Sequence, residues 1–177
     1  MSKIRRVCFH AGPGSGKSTI AARVFAEMKI RGHDAEHITE FVKTMAHEGR
    51  FPESFDQVHI FGEQIHREDI ALRHVDFIVT DCPMLMCCAY AKWYKAPGHQ
   101  HLAEIAFDFE TCFPALNFYL ERTVDYKDQG RYQNLEQAKK FDVFLTEFMQ
   151  EHLQDHWERV EVEDFERICE RIEDSLK

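Results

Sequence analysis

The stretch Ala11-Gly12-Pro13-Gly14-Ser15-Gly16-Lys17-Ser18-Thr19 decides the reading of this chain. It fits G-x-x-x-x-G-K-[ST], with Ala11 at the first glycine position, where alanine is commonly accepted. Glycines let backbone N–H groups curve around an anion with no Cβ in the way. The flanks supply a context that a chance glycine turn lacks. Arg6 to Phe9 reads as a short apolar strand entering the loop. Ile20, Val24 and Met28, with Ala21 and Phe25 beside them, recur at helical spacing directly after it. A helix starting near Lys17 turns the positive end of its dipole toward the same anion. Gly12, Pro13, Gly14, Ser15, Gly16, Lys17, Ser18 and Thr19 are therefore expected to hold the polyphosphate of a nucleoside triphosphate. Lys17 brings a mobile cation to the β- and γ-phosphates, and the Ser18 hydroxyl is a candidate Mg²⁺ ligand. ATP and Mg²⁺ are the expected cofactors.

Working outward, strands and helices alternate. Gly32 closes the first helix, and residues 35–39 read as a second strand, followed by a short helix over 40–46. Ser54 is placed to cap a long helix over 55–74, with Val58, Phe61, Ile65 and Leu72 on its apolar face. Phe77-Ile78-Val79-Thr80 is a buried strand, followed by a short helix over 85–92. Leu102, Ile105, Ala106, Phe109 and Phe113 mark a helix that stops before Pro114. Leu116 to Leu120 is a strand, and Ala138, Phe141, Leu145 and Phe148 share a helix face. A last strand over 159–162 precedes a final helix carrying Phe165, Ile168, Cys169, Ile172 and Leu176. This alternation implies right-handed crossovers. The expected fold is α/β: a P-loop NTPase three-layer sandwich, with a five-stranded parallel sheet, helices on both faces and a short lid over about 121–134. One domain is expected over residues 1–177, since about 150 residues make a typical domain.

Composition sets the outer bounds. Lys plus Arg is 22 against 31 for Asp plus Glu, a formal charge of −9. Such a chain is a poor general polyanion binder, so a DNA partner is not favoured by charge. No apolar run approaches the roughly 18 residues that suggest a membrane span. The basic start is followed by too few apolar residues for a signal peptide. The six cysteines include Cys8, Cys87, Cys88, Cys112 and Cys169 in apolar stretches, with no C-x-x-C. They read as reduced, buried thiols of a cytoplasmic protein. His33/His37 and His152/His156 are each four apart, and neither pair reads as a catalytic metal site.

Asp81 ends the strand 77–80, as an acid at the carboxyl end of a neighbouring strand does when it sits beside Mg²⁺ and its waters. Motor-type ATPases usually follow that acid with a glutamate, and here Cys82 follows it. No N-K-x-D or L-S-G-G-Q occurs, and the chain is short for an AAA+ ATPase with a helical lid domain. Subtraction leaves a small kinase. Phosphoryl transfer away from water calls for a cover that also brings charge. The polar stretch 121–134 carries Arg122, Lys127 and Arg131, with Gly130 as a hinge. Arg131 is the first choice for stabilising charge at the γ-phosphate and Arg122 the second. Glu40, after the second strand, either orients or deprotonates an acceptor hydroxyl or merely starts a helix. Gln64 and Arg67 either read the acceptor or form a solvated helix face. Thr39, Phe41 and Lys43 are placed along the same pocket. Either Glu40 or Asp81 serves as base.

Gly12 to Thr19, Ile38-Thr39-Glu40-Phe41, Phe77 to Asp81 with Tyr90 downstream, and Asp125-Tyr126 leading through Gly130-Arg131-Tyr132-Gln133 to Glu136 and Ala138 resemble a known family. It is the small ATP-binding domains related to bacterial nicotinamide-riboside kinase, common among bacteriophage proteins described as ATPases or nucleotide kinases. The resemblance implies a five-stranded kinase fold using ATP and Mg²⁺. Lys17, Ser18, Asp81 and Arg131 would then serve nucleotide and metal, and Glu40 would face the acceptor. The chain departs from the pattern at Ala11 and at Asp81-Cys82-Pro83, where such kinases commonly carry Asp-Arg. The expected activity is transfer of the γ-phosphate of ATP to a small acceptor, a nucleoside or nucleotide. The alternatives are hydroxymethylated bases in phage DNA, a slow ATP-hydrolysing regulatory switch that acts through a protein partner, and a nucleotide-binding protein without turnover.

Overall fold

The computed structural model describes residues 3–123 and 133–177. Its strands are β1 (Arg6–His10), β2 (Ala35–Ile38), β3 (Phe77–Thr80), β4 (Ala115–Leu120) and β5 (Glu158–Val160). Its helices are α1 (Lys17–Ile30), α2 (Val42–His47), α3 (Asp56–Leu72), α4 (Met84–Trp93), α5 (His99–Cys112), α6 (Leu135–Leu153) and α7 (Phe165–Leu176). All strand pairs are parallel, in the order β2-β3-β1-β4-β5. The fold is α/β, with one five-stranded parallel sheet, as the alternation of elements implies.

The two-residue period of the strands sorts the core into two layers. Val7 and Phe9, Phe77 and Val79, and Leu116, Phe118 and Leu120 pack with α1 and α7, through Ile20, Val24, Met28, Ile168 and Ile172. Ile78 and Tyr119 face the opposite layer, where α3, α4, α5 and α6 contribute Phe61, Met84, Leu102, Phe141 and Leu145.

One strand position breaks the apolar pattern. Arg6 is fully buried; its Nε donates to Glu68 of α3 at 2.9 Å and its Nη1 to Glu110 of α5 at 2.5 Å. Two carboxylates from separate helices thus converge on one guanidinium under the sheet. Single helix-face patterns do not reveal such a triad.

Several boundaries and faces differ from expectation. Ser54 does not cap α3: Phe55 stands at that position, without a side-chain cap, and Ser54 adopts a left-handed φ of 47°. Val58 is exposed, while Gln57, Gln64 and Glu68 are buried on α3, because polar groups on this helix serve neighbouring loops and Arg6. Ile105 and Cys112 on α5 are also exposed. The last strand ends at Val160 rather than 162, since Val162–Asp164 turn as a 3₁₀ segment into α7. The described cysteines are all free thiols. No helix among the described residues is long and apolar enough to cross a membrane.

Candidate functional site

The register fixes where the site can be. Cys8 of β1 lies beside Thr80 of β3, and Ile38 of β2 lies beside the same Thr80 on its other side. The chain segments leaving these three strands therefore emerge side by side at the carboxyl end of the sheet. In parallel α/β sheets this edge, where the strand order reverses, is the place for ligands. The glycine loop follows β1, Glu40 follows β2, and Asp81 follows β3.

The loop has the backbone its sequence requires. Gly14 and Gly16 take φ of 81° and 91°, values that side chains with a Cβ rarely adopt. Ala11 is fully buried among the apolar residues of the α1 side, which accounts for alanine at that position. The Ser15 hydroxyl donates to the Gly12 carbonyl at 3.0 Å and closes the turn. Helix α1 begins at Lys17 behind Gly16, so its first N–H groups lack partners within the helix and open toward the loop. Lys17 arches back, donating to the carbonyls of Ala11 at 2.7 Å and Gly12 at 3.2 Å. Burial pushes its ammonium below the ordinary lysine range despite the nearby Glu40 and Asp81.

The loop is braced from a distance. Asp142 of α6 accepts from the Gly12 N–H at 3.0 Å, and Arg122, just past β4, donates to Asp142 at 2.8 Å and to the Pro13 carbonyl at 2.8 Å. A Cβ on Gly12 would lie 2.0 Å from the Asp142 carboxylate, so the brace requires glycine there. Arg122 thus reaches the loop, but as a partner of Asp142 and of the backbone. Arg131, Lys127 and Gly130, with most of the expected lid, lie outside the described residues.

The two carboxylates are held differently. Asp81 Oδ1 accepts from the Glu40 N–H at 3.1 Å and Oδ2 from Lys43 Nζ at 3.1 Å. Burial alone would raise its pKa, but Lys43 and the Ser18 hydroxyl outweigh it and hold Asp81 below the usual carboxylate range. Among the described residues the Glu40 side chain has a longer contact, to Lys43 at 3.8 Å, and burial raises its pKa. Lys43 also donates to the Ser18 hydroxyl, so one ammonium bridges Ser18 and Asp81. A single cation already sits between these two oxygens. Such a donor set fits a hard metal ion.

Beside the loop opens a cavity of about 210 Å³. Its floor is Lys17, Ser18, Glu40 and Lys43, and its far wall is apolar and aromatic, with Phe51, Ile60, Tyr90 and Tyr94. The wall is built in layers: Tyr90 stacks on Phe141 of α6 at 4.3 Å between ring centroids, and Tyr94 lies parallel to Tyr90 at 6.3 Å. Phe51 meets Tyr94 edge-on. Cys82 and Cys87 line the same space, their sulfurs 3.8 Å apart.

Gln64 and Arg67 do not line this cavity among the described residues. Gln64 is buried and accepts from the Phe41 N–H at 3.1 Å, while the Arg67 guanidinium lies over the Phe41 ring. They hold the segment that carries Glu40. Of Thr39, Phe41 and Lys43, only Lys43 lines the cavity. Asp142, Tyr94, Phe51 and Gln57 escape the sequence reading, because each is a single polar or aromatic residue on a helix face or loop with no motif around it. His156 lies beyond the end of α6, so it does not share a helix face with His152.

A glycine loop at the carboxyl end of β1, opening a helix, with an acid at the end of β3 beside the loop's serine, defines a P-loop NTPase fold. The family model that matches is described as an AAA domain and spans residues 6–167, from β1 into α7, and the chain belongs to that family. Chain length is thus no ground for separating the protein from AAA domains. The match runs over all five strands and ends in the first turn of α7. No curated protein matches the chain.

Proposed function

We propose that this protein is a small kinase that moves the γ-phosphate of ATP to a hydroxyl of a small acceptor, and that the acceptor is a nucleoside in preference to a nucleotide. The observation that carries this reading is the cavity, which joins a phosphate-binding floor to an aromatic wall. A planar base can stack on such a wall. Among the described lining residues the cations are Lys17 and Lys43, both at the floor. A nucleotide acceptor would add its own phosphate charge beside the γ-phosphate, and the described lining offers no arginine to take it. Cys82 stands where the kinases that the sequence resembles commonly carry arginine, which leaves that part of the wall neutral.

The roles of the chain's residues follow from their surroundings. The N–H groups of the loop and of the first turn of α1 take the phosphates. Lys17, already desolvated, exchanges its two carbonyl partners for phosphate oxygens, a stronger charge-assisted pairing. Ser18 and Asp81 would hold Mg²⁺, which supplies charge neutralisation at the β- and γ-phosphates when bound. Asp81 has both oxygens engaged and is strongly ionised, which suits metal holding and makes it a poor base. Glu40 has a raised pKa, faces the cavity and is less committed, so it takes the acceptor's proton. The aromatic wall orients the acceptor and keeps water away from the transferring group.

The test is a panel of nucleosides, nucleoside monophosphates and DNA carrying hydroxymethylated bases, each added to protein and Mg·ATP while ADP release is followed. ADP release is expected to rise at least about tenfold with one nucleoside and to stay near the basal rate with the others. Stimulation by hydroxymethylated DNA alone, or an ADP rate that no acceptor changes, would overturn the nucleoside reading.

A further inference from the structure

Lys43 is the second residue of α2, and its side chain is 42% exposed. Its ammonium nevertheless points inward, onto the Ser18 hydroxyl and Asp81 Oδ2, with Glu40 Oε2 at 3.8 Å. The first two of these oxygens are the pair assigned above to a divalent cation. Lys17 does not compete for them, because its Nζ lies on the Ala11 and Gly12 carbonyls.

We propose that Lys43 is the resident counter-ion of the metal site: it holds Ser18 and Asp81 in place before nucleotide arrives, excludes free divalent cations, and yields only to a metal that arrives on a triphosphate. The inference rests on reading Ser18 and Asp81 as the metal-holding pair. The charges explain the order of events. Asp81 and the neighbouring Glu40 are matched by Lys43 and Lys17, so the site offers no net negative charge to a bare divalent ion. Such an ion must also displace the Lys43 ammonium from both oxygens or face it at close range, which is costly in a partly desolvated site. A metal–triphosphate complex carries net negative charge and brings oxygens to which a displaced ammonium can move. Lys43 is suited to that move, because its stem runs from an exposed helix start on a flexible chain. It is a positioning residue that sets when metal can bind.

The experiment measures Mn²⁺ binding to the nucleotide-free full chain by electron paramagnetic resonance, with thermal melting of each variant without metal as the check on folding. Lys43→Met is expected to bind Mn²⁺ at least about tenfold more tightly than the unaltered protein, because two vacated oxygens replace an occupied pair. Lys43→Arg, which keeps the charge, is expected to remain weak. Adding Asp81→Asn to Lys43→Met should abolish the gain and thereby place it at this site. Lys17→Met removes one positive charge nearby without vacating Ser18 or Asp81, and should give less than about a threefold gain. Unchanged affinity in Lys43→Met, a gain that survives Asp81→Asn, or an equal gain in Lys17→Met would each overturn the proposal. A failed acceptor panel leaves these metal affinities as they are, and unchanged affinities leave the panel standing, so the two readings fail separately.

Discussion

At the scale of single residues, the phosphate loop owes its shape to contacts made far away in sequence. Gly12 is glycine because the Asp142 carboxylate occupies the space of a side chain there. Gly12→Ala is expected to cost about 1–3 kcal/mol of stability through overpacking, and to weaken ATP binding as the loop shifts. Asp142→Ala removes the clash, so the double variant should recover much of the stability lost by Gly12→Ala. Urea unfolding of the four proteins measures this coupling, and strictly additive costs would contradict the brace. Lys17→Ala should leave the fold intact and reduce ATP affinity by about 10- to 100-fold, the value of a charge-assisted contact, as titration calorimetry would show.

At the scale of elements, the legible features were those written in consecutive residues. The glycine loop, the apolar strand 77–80 and the helix faces of α1, α6 and α7 are local patterns, and the sheet follows from their alternation. The site was partly legible for the same reason: Lys17, Ser18, Glu40 and Asp81 each stand at a strand end or in the loop. The contacts that join elements were not legible. Arg6 sits in a strand read from its apolar neighbours, and nothing near it announces Glu68 or Glu110. Asp142 follows Phe141 on α6 as any polar helix residue would. The triad makes a sharp prediction. Glu68→Ala leaves the Arg6 guanidinium buried with one carboxylate partner, and should cost about 3–5 kcal/mol in urea unfolding. Arg6→Met together with Glu68→Leu and Glu110→Leu should cost much less, because an apolar replacement of the whole triad leaves no buried charge behind. Similar losses in both would show that the ion pairs do not govern this interface.

At the scale of the whole molecule, a buried histidine at the foot of the loop makes stability depend on pH in the range where carboxylates contribute least. Burial pushes the His10 imidazole down to about 4, against the smaller opposing effect of its hydrogen bond to Asn117. In the unfolded chain this group titrates near 6.5. The unfolded state therefore binds more protons between these values, and the stabilisation is present above about 6.5 and lost as pH falls toward 4. The shift corresponds to about 3 kcal/mol, so the loss of unfolding free energy between pH 7 and pH 4 should be larger by that amount in the unaltered protein than in His10→Gln. Equal losses would mean that His10 is not held neutral. The sheet edge brings together, from the ends of three strands, the glycine loop, the Asp81 carboxylate beside Ser18, and the Glu40 carboxylate at the floor of an aromatic cavity.

The most direct measurement is ³¹P nuclear magnetic resonance of Mg·ATP with the protein and the nucleoside that most accelerates ADP release. A kinase converts each γ-phosphate resonance into one phosphomonoester resonance of the acceptor, matched by ADP and free of inorganic phosphate. Inorganic phosphate appearing in step with ADP, with no phosphomonoester formed, would contradict phosphoryl transfer and mark the protein as a hydrolase.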